Sequence, residues 1–335
     1  MKILIVTDST AFALGNCFIR AGKKLGHEIS TFDLSAMERN YVKFGKPGLK
    51  IHTFWPVEAW QRKANRELII AYRNLMPDII MVVGNIPVLF GTLAFFKSLE
   101  KGKTVLYWPD TLLNLTSFQK DGASLYDLVA TYSSTSMRPF NLIGYEKTHF
   151  MPFAGDNEFL GDAVFSDHFD YDLSFAGGYR PEREAALAAV AATFPDLKIL
   201  IKGTDWERFC KNKLLRKSCN PKPIYGKDFG DFIRRSRINL NVIDDTNYPA
   251  ANMRFFEIPA AGGLQLSSVC PEMESAFTDR KEILYFTSYE HMIEQIRWVL
   301  KHPDEAGHIR KAANAKIRKE HTYIIRMESL IKALA

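Results

Sequence analysis

The chain has 335 residues, of which 47% are hydrophobic and 24% charged, and it carries a formal net charge of +6. That is long enough for two ordinary domains, each with its own core, and the balance excludes a disordered, collagen-like or disulfide-stapled protein. No apolar run nears the ~20 residues that span a bilayer, and Cys17, Cys210, Cys219 and Cys270 fall in no CxxC or metal-ligand spacing, so the expected setting is reducing and cytoplasmic.

In chain order, "MKILIVTDST" opens with four consecutive apolar residues between polar ones, which predicts a first buried strand rather than a leader peptide. Short β-branched runs follow at "EISTF" (28–32), "DIIMVV" (78–83), "KTVLY" (103–107), "YDLVA" (126–130) and "THFM" (148–151). Between them lie segments of helical spacing such as "PVEAWQRKANRELIIAYRNLM". The stretch 151–172 mixes Gly, Pro and acids without any period and reads as a linker, with a hinge expected near Gly155 to Gly161. Alternation resumes with "DLSFAG" (172–177), "LKILI" (197–201), "INLNVI" (238–243), "LQLS" (264–267) and "ILYF" (283–286). From His302 onward the pattern is helical, with Pro303 where a helix can begin. Strand and helix in alternation predict parallel sheets covered on both faces. Two such runs predict two Rossmann-like, doubly wound α/β domains, with ligands beyond the carboxyl ends of the strands in a cleft between them.

The charge is uneven. Residues 1–157 hold 18 Lys and Arg against 13 Asp and Glu, whereas the remainder holds 26 against 25. A basic first half fits an anionic partner, such as a membrane surface, a phosphorylated acceptor or nucleic acid, and equally a solvated surface.

Several residues are candidates for chemistry. In "NMRFFEIPAAGGLQLSS" a single carboxylate, Glu257, sits among apolar and small residues. It either pairs with Arg254 one helical turn earlier or waits for ligand hydroxyls. Gly262 and Gly263 are either a left-handed helix stop or a place for backbone amides to approach a diphosphate. "GGYRPERE" follows a strand and opens a helix, an anion-attracting arrangement to which Arg180 and Arg183 can add contacts, unless Arg183 is spent on a neighbour. Lys202 ends the next strand. Asp110, in "YWPDT", is either a helix cap or an acid facing the cleft. "DYD" at 170–172 has the form of a metal-binding DxD but enters a strand instead of following one. His149 and His321 have no partners at metal-ligand spacing.

Taken together, "DLSFAGGYRPEREAAL", "LIKGTDW", "NMRFFEIPAAGG" and "EHTYIIRMESLI" resemble, in order, the carboxyl-terminal domain of GT-B glycosyltransferases. The nearest resemblance is to the CgeB-like group, related to the retaining family 4 enzymes. "GKKLGHEISTFD", "YWPDT", "LYDLVATYS" and "MPFAGDNEF" extend the resemblance over most of the chain. It implies an acceptor domain over 1–157, a nucleotide-sugar domain over 158–320, and a final helix, 321–335, returning to the first domain with Ile324, Ile325, Leu330 and Ile331 as its apolar stripe. It implies that Glu257 takes both ribose hydroxyls, that Tyr225 in "PIYGKDF" lies by the base, and that the loop Thr7 to Gly15 faces the donor, with Gly15 its sole glycine. The expected activity is metal-independent sugar transfer from a nucleoside-diphosphate donor, with no cofactor and with Asp110 as acceptor-side base. The expected partners are the donor and an unspecified acceptor, with peripheral contact to an anionic membrane and no nucleic acid. One departure stands out: retaining relatives often carry a second acid eight residues before the one matching Glu257, and here that position is Pro249. A sugar-nucleotide epimerase and a non-catalytic sugar-nucleotide-binding protein are the rival readings.

Overall fold

Each buried apolar run becomes a parallel strand. The structure is a computed structural model and describes residues 1–335. It resolves into two units, Met1–Pro152 with Tyr323–Ala335, and Phe153–Thr322.

The first unit holds β1 (Lys2–Val6), β2 (Glu28–Phe32), β3 (Ile79–Val83), β4 (Lys103–Trp108), β5 (Leu128–Thr131) and β6 (Thr148–Phe150), ordered β2-β1-β3-β4-β5-β6. All five pairings are parallel. Every residue of β3, "IIMVV", is buried, as an unbroken apolar run between two helical layers must be. On one face Leu4, Ile80, Leu106 and Val129 pack against Leu68, Tyr72 and Phe96. The last helix, Tyr323–Leu334, belongs to this unit. Tyr323 meets the edge of Phe18 at 5.2 Å, and Arg326 Nε donates to Pro152 O at 2.9 Å. Its buried residues are Tyr323, Arg326, Met327 and Leu330, so of the expected stripe only Leu330 lies inside. Spacing of four and three residues aligns Tyr323, Met327 and Leu330 on one face and turns Ile324 and Ile331 toward its flanks.

The second unit holds β7 (Tyr171–Ala176), β8 (Ile199–Lys202), β9 (Cys219–Asn220), β10 (Ser236–Asn241), β11 (Gln265–Ser268) and β12 (Leu284–Phe286), ordered β12-β11-β10-β7-β8-β9 and parallel throughout. Leu173, Ile201, Ile238, Leu240 and Leu266 form its core with Leu187, Val190 and Ile296. The two-residue edge strand β9 has no apolar run to announce it. Gly155, expected near a hinge, is pinned: its N–H donates to His321 O at 2.8 Å, and a Cβ there would lie 2.7 Å from both Ala260 Cβ and Ile317 Cγ2.

In both sheets the strand order reverses. The chain builds β7, β8 and β9 outward, then returns to lay β10 on the other side of β7. The connections leaving β7 and β10 therefore diverge and leave a crevice at their carboxyl ends. In the first unit the same reversal falls between β1 and β3.

Candidate functional site

The crevice of the second unit begins where β7 ends. Gly177 and Gly178 turn the chain into the helix Pro181–Thr193, whose proline occupies a first-turn position that needs no N–H. The turn is held from beneath: Trp206 Nε1 donates to Gly177 O at 2.8 Å, and Tyr179 N–H donates to Thr204 O at 3.0 Å. Gly203 has φ +155, and a Cβ there would lie 2.0 Å from Gly177 O, so only glycine allows the two loops to stack. Arg180 is the N-cap residue of this helix and gives it no side-chain cap. Its guanidinium is exposed and makes no hydrogen bond or ion pair with the protein. An uncapped helix amino end beside an unengaged arginine attracts anions.

Arg183 is different. It donates to Gly178 O at 2.9 Å and to Asp244 Oδ2 at 2.5 Å. Asp244 is buried beyond the end of β10 and also accepts from Thr246 Oγ1 at 2.5 Å and Asn247 Nδ2 at 2.9 Å. Burial pushes the Asp244 carboxyl upward, but these hydrogen bonds and the charge of Arg183 outweigh it and hold the group below the usual range. Arg183 thus braces the β7 loop to the β10 loop and is not an open phosphate contact.

Arg254 and Glu257 lie in the first turn of the helix Arg254–Ala260, just after the β10 loop. Asn252 opens that helix, accepting from Phe255 N–H at 3.1 Å while its own amide donates to Asn241 at 2.8 Å. Arg254 pairs with Glu257, donates Nε to Ala176 O at 3.3 Å, and lies 4.3 Å over the Phe229 ring. The helix-pairing reading of Glu257 is therefore realised. Yet the pair hangs at the end of β7, and Glu257 Oε1 accepts no hydrogen bond from the protein. One carboxylate oxygen stays available.

Lys202 ends β8, half-buried, with its ammonium unpaired. Tyr225 is exposed and precedes Gly226, whose φ of +59 turns the chain into the helix that carries Phe229. Both stand at the carboxyl edge of the sheet, with Arg180, Arg254 and Glu257. Gly262 and Gly263 do not join them. They follow the far end of the Arg254 helix, at the amino edge where β11 starts. Gly262 has the φ of +88 of a left-handed stop, and a Cβ on Gly263 would lie 2.4 Å from Ile233 Cγ2. Their task is packing. "DYD" also lies at the amino edge, where Asp170 pairs with Arg235 and Asp172 accepts from Lys198 N–H at 3.0 Å. Pro249 lies in the β10 loop; of the nearby acids, Asp244 is engaged as above and Asp245 is exposed.

In the first unit Gly15 is the first residue of its helix, and a Cβ there would lie 2.1 Å from Thr7 Oγ1. The glycine lets the helix start against the end of β1. Asp110 follows β4 and is exposed, with Oδ1 accepting from Thr111 N–H and Oδ2 from Asn114 Nδ2, each at 2.7 Å. The cap of the following turn, Leu112–Asn114, is Thr111, whose hydroxyl accepts from Leu113 N–H at 3.4 Å, so the expected capping role falls on the neighbour of Asp110. In the sequence Asp244 and Asp245 stand near Pro249 without the spacing of a second acid, and "DDTN" carries the Asx-turn signal that marks Asp244 as structural.

Residues 180–332 match the protein-family model described as glycosyl transferase-like. A search of curated proteins gave no match. Among solved structures, HepE of Anabaena in complex with UDP and glucose is similar over 100% of this chain and 99% of its own, with 13% identity and a TM-score of 0.66. A glycosyltransferase of Rickettsia africae is similar over 99% and 97%, at 10% identity and a TM-score of 0.66. Sucrose-phosphate synthase of Thermosynechococcus elongatus is similar over 99% and 98%, at 12% identity and a TM-score of 0.64. At such identities the likeness concerns the fold. Residues 180–332 are similar to the glycosyl transferase-like family, and the chain that carries them has the GT-B fold.

Proposed function

We propose that the protein is a metal-independent, retaining glycosyltransferase of the CgeB-like group, which moves a sugar from a nucleoside-diphosphate donor bound by the second unit. The observation that carries this reading is the β7/β10 crevice, where Glu257 keeps an open carboxylate oxygen beside the unengaged cations of Arg180 and Lys202. In this reading Glu257 accepts from a ribose hydroxyl while Arg254 orients it. Arg180, Lys202 and the uncapped helix end neutralise the leaving diphosphate, the charge that a divalent cation supplies elsewhere. Tyr225 lies beside the base, the loop ending at Gly15 serves the donor, and Asp110 serves the acceptor. HepE is bound to UDP in one solved complex and to UDP-glucose in another, which makes UDP the first donor fragment to try. Retention follows the family likeness, and with Pro249 in place of the second acid it proceeds without a carboxylate at that position.

The test is titration of UDP onto wild type and Glu257→Gln. A hydrogen bond to a charged group is worth about 1.5–3 kcal/mol, so the variant should bind roughly 10- to 150-fold more weakly with its fold intact. Unchanged affinity sinks the ribose role. Turnover with a panel of nucleotide sugars separates the rivals: transfer or hydrolysis supports the transferase, an altered sugar the epimerase, and binding alone the non-catalytic reading.

The acceptor side has a distinctive surface. In the helix Gly45–Phe54 and its flanks, Gly48 and His52 face inward, and His52 Nε2 shares a 3.0 Å hydrogen bond with Glu38. Phe44 is 83% exposed and Trp55 78%, with Ile51 and Phe54 also exposed on that side and Lys43, Lys46 and Lys50 along its margin. An apolar strip edged by lysines fits an anionic lipid surface, and we place the acceptor there. The protein should co-sediment with vesicles containing phosphatidylglycerol, and Phe44→Ser/Trp55→Ser should stay in the supernatant. Equal sedimentation of the two proteins refutes the placement.

A further inference from the structure

The amino edge of the second sheet holds a cavity of about 360 Å³ that the crevice does not use. Arg237, the second residue of β10, and Leu264, just before β11, form its floor, and the helices Tyr289–Lys301 and Pro303–Glu320 supply Val299, Ala306 and Gly307 as walls.

Three features mark it as built for a ligand. First, the Arg237 side chain is 35% exposed, its guanidinium makes no hydrogen bond within the protein, and its buried Nε has only a loose ion pair. The nearest carboxylate oxygen, Asp172 Oδ1, is 3.8 Å away, and the group lies 5.7 Å over the Phe169 ring. A buried donor left unsatisfied is costly, so a native fold that keeps one has a partner to offer it. Second, Phe169, Leu264, Val299 and Ala306 give the cavity an apolar part beside the charged Asp167, Asp304 and Arg310. Third, Gly307 lies inside a helix, where glycine is the poorest ordinary residue, yet a Cβ there would meet nothing within 4 Å. The missing side chain keeps the cavity open. Arg310 shows the contrast: its side chain is 4% exposed and donates to Ser166 O at 2.8 Å and Asp167 Oδ1 at 3.0 Å, so it is part of the frame.

We propose that this cavity is a second ligand site, for a small organic monocarboxylate with a compact apolar body. The planar fork of Arg237 matches a carboxylate, and Leu264, Val299, Ala306 and the Phe169 face enclose the body. Asp167 and Asp304 also line the cavity and repel a dianion, which disfavours phosphate esters. The site lies on the opposite edge of the sheet from Glu257, and its assignment does not depend on the transferase reading.

Benzoate is the probe, titrated by calorimetry onto the full-length protein, with benzamide as its neutral isostere and inorganic phosphate as the dianionic control. Benzoate should bind saturably, at least about tenfold tighter than benzamide or phosphate, a difference of about 1.4 kcal/mol. Arg237→Gln should lose that tenfold preference. Gly307→Leu should fill the space and abolish benzoate binding while its melting temperature holds or rises, because leucine is the better helix former. Benzoate binding to Gly307→Leu as to wild type overturns the site. Equal affinity for benzamide overturns the role of Arg237, and tighter binding of phosphate overturns the ligand class. Should Gly307→Leu fail to fold, the benzoate-to-benzamide ratio of Arg237→Gln carries the decision alone.

Discussion

Asp244 is the most heavily engaged carboxylate at the crevice, and its consequences are measurable. Removing one partner of a buried ion pair leaves the other charge uncompensated, at a cost of about 3–5 kcal/mol. Arg183→Met should therefore destabilise strongly, and Asp244→Asn should relieve part of that loss in the double variant; additivity in a urea double-mutant cycle would mean the two are uncoupled. The pH dependence has a definite sign. The Asp244, Asp127 and Glu184 carboxyls are all held low, in each case against a burial effect that alone would raise them. For Asp127 the opposing partners are Lys97 and Thr104, and for Glu184 chiefly the N–H of Asn212 and the Tyr179 hydroxyl. A carboxyl with a lowered folded value adds stability that is complete above its unfolded value, about 3.9 for Asp and 4.3 for Glu, and lost as pH falls through the folded one. Urea midpoints should drop on going from neutral pH to below pH ~4, and Asp244→Asn should shallow that fall. Identical acid limbs would remove Asp244 from the account.

At the scale of elements, the last helix is the clearest case of a short segment with a large share in a core. Met327 and Leu330 are fully buried, and Tyr323 closes over Phe18. Deleting residues after His321 should expose Phe18 and its neighbours and lower the melting temperature of the first unit by several degrees, since each lost large side chain is worth about 1.5–3 kcal/mol. Bound dye reporting exposed apolar surface should rise with it, and an unchanged melting curve would deny the helix that role. Period and punctuation made most elements legible: β-branched runs gave the strands, and Pro181 and Pro303 marked helix starts. They could not place β9, whose two residues leave no pattern. The site was legible where its partners are local. Arg254 and Glu257 are one turn apart, so their pairing was an expected alternative, whereas Arg183 and Asp244 are 61 residues apart and meet only because β7 and β10 are neighbours. Gly262 and Gly263 misled for the same reason, since sequence proximity to Glu257 hid the fact that a helix carries them to the opposite edge of the sheet.

For the whole molecule, the second unit is one unbroken stretch, 153–322, set between two pieces of the first. Its ends lie side by side, since Gly155 bridges Thr322 and its N–H donates to His321 O. A unit with its own sheet, its own core and adjoining ends should fold when made alone as residues 153–322 and should still bind UDP, which calorimetry on the excised unit will check. The same arrangement sets an order of events during synthesis. A ribosome delivers residues 1–152 first, but the helix that covers Phe18 emerges only after the whole of 153–322. The unit that starts second therefore finishes first, and the unit that starts first waits with an apolar groove uncovered until residues 323–335 follow. Nascent chains arrested with 153–322 outside the ribosome and 323–335 still in its tunnel should resist protease over 153–322 while residues 1–152 remain open to chaperone capture, and chains whose residues 323–335 have emerged should lose that sensitivity.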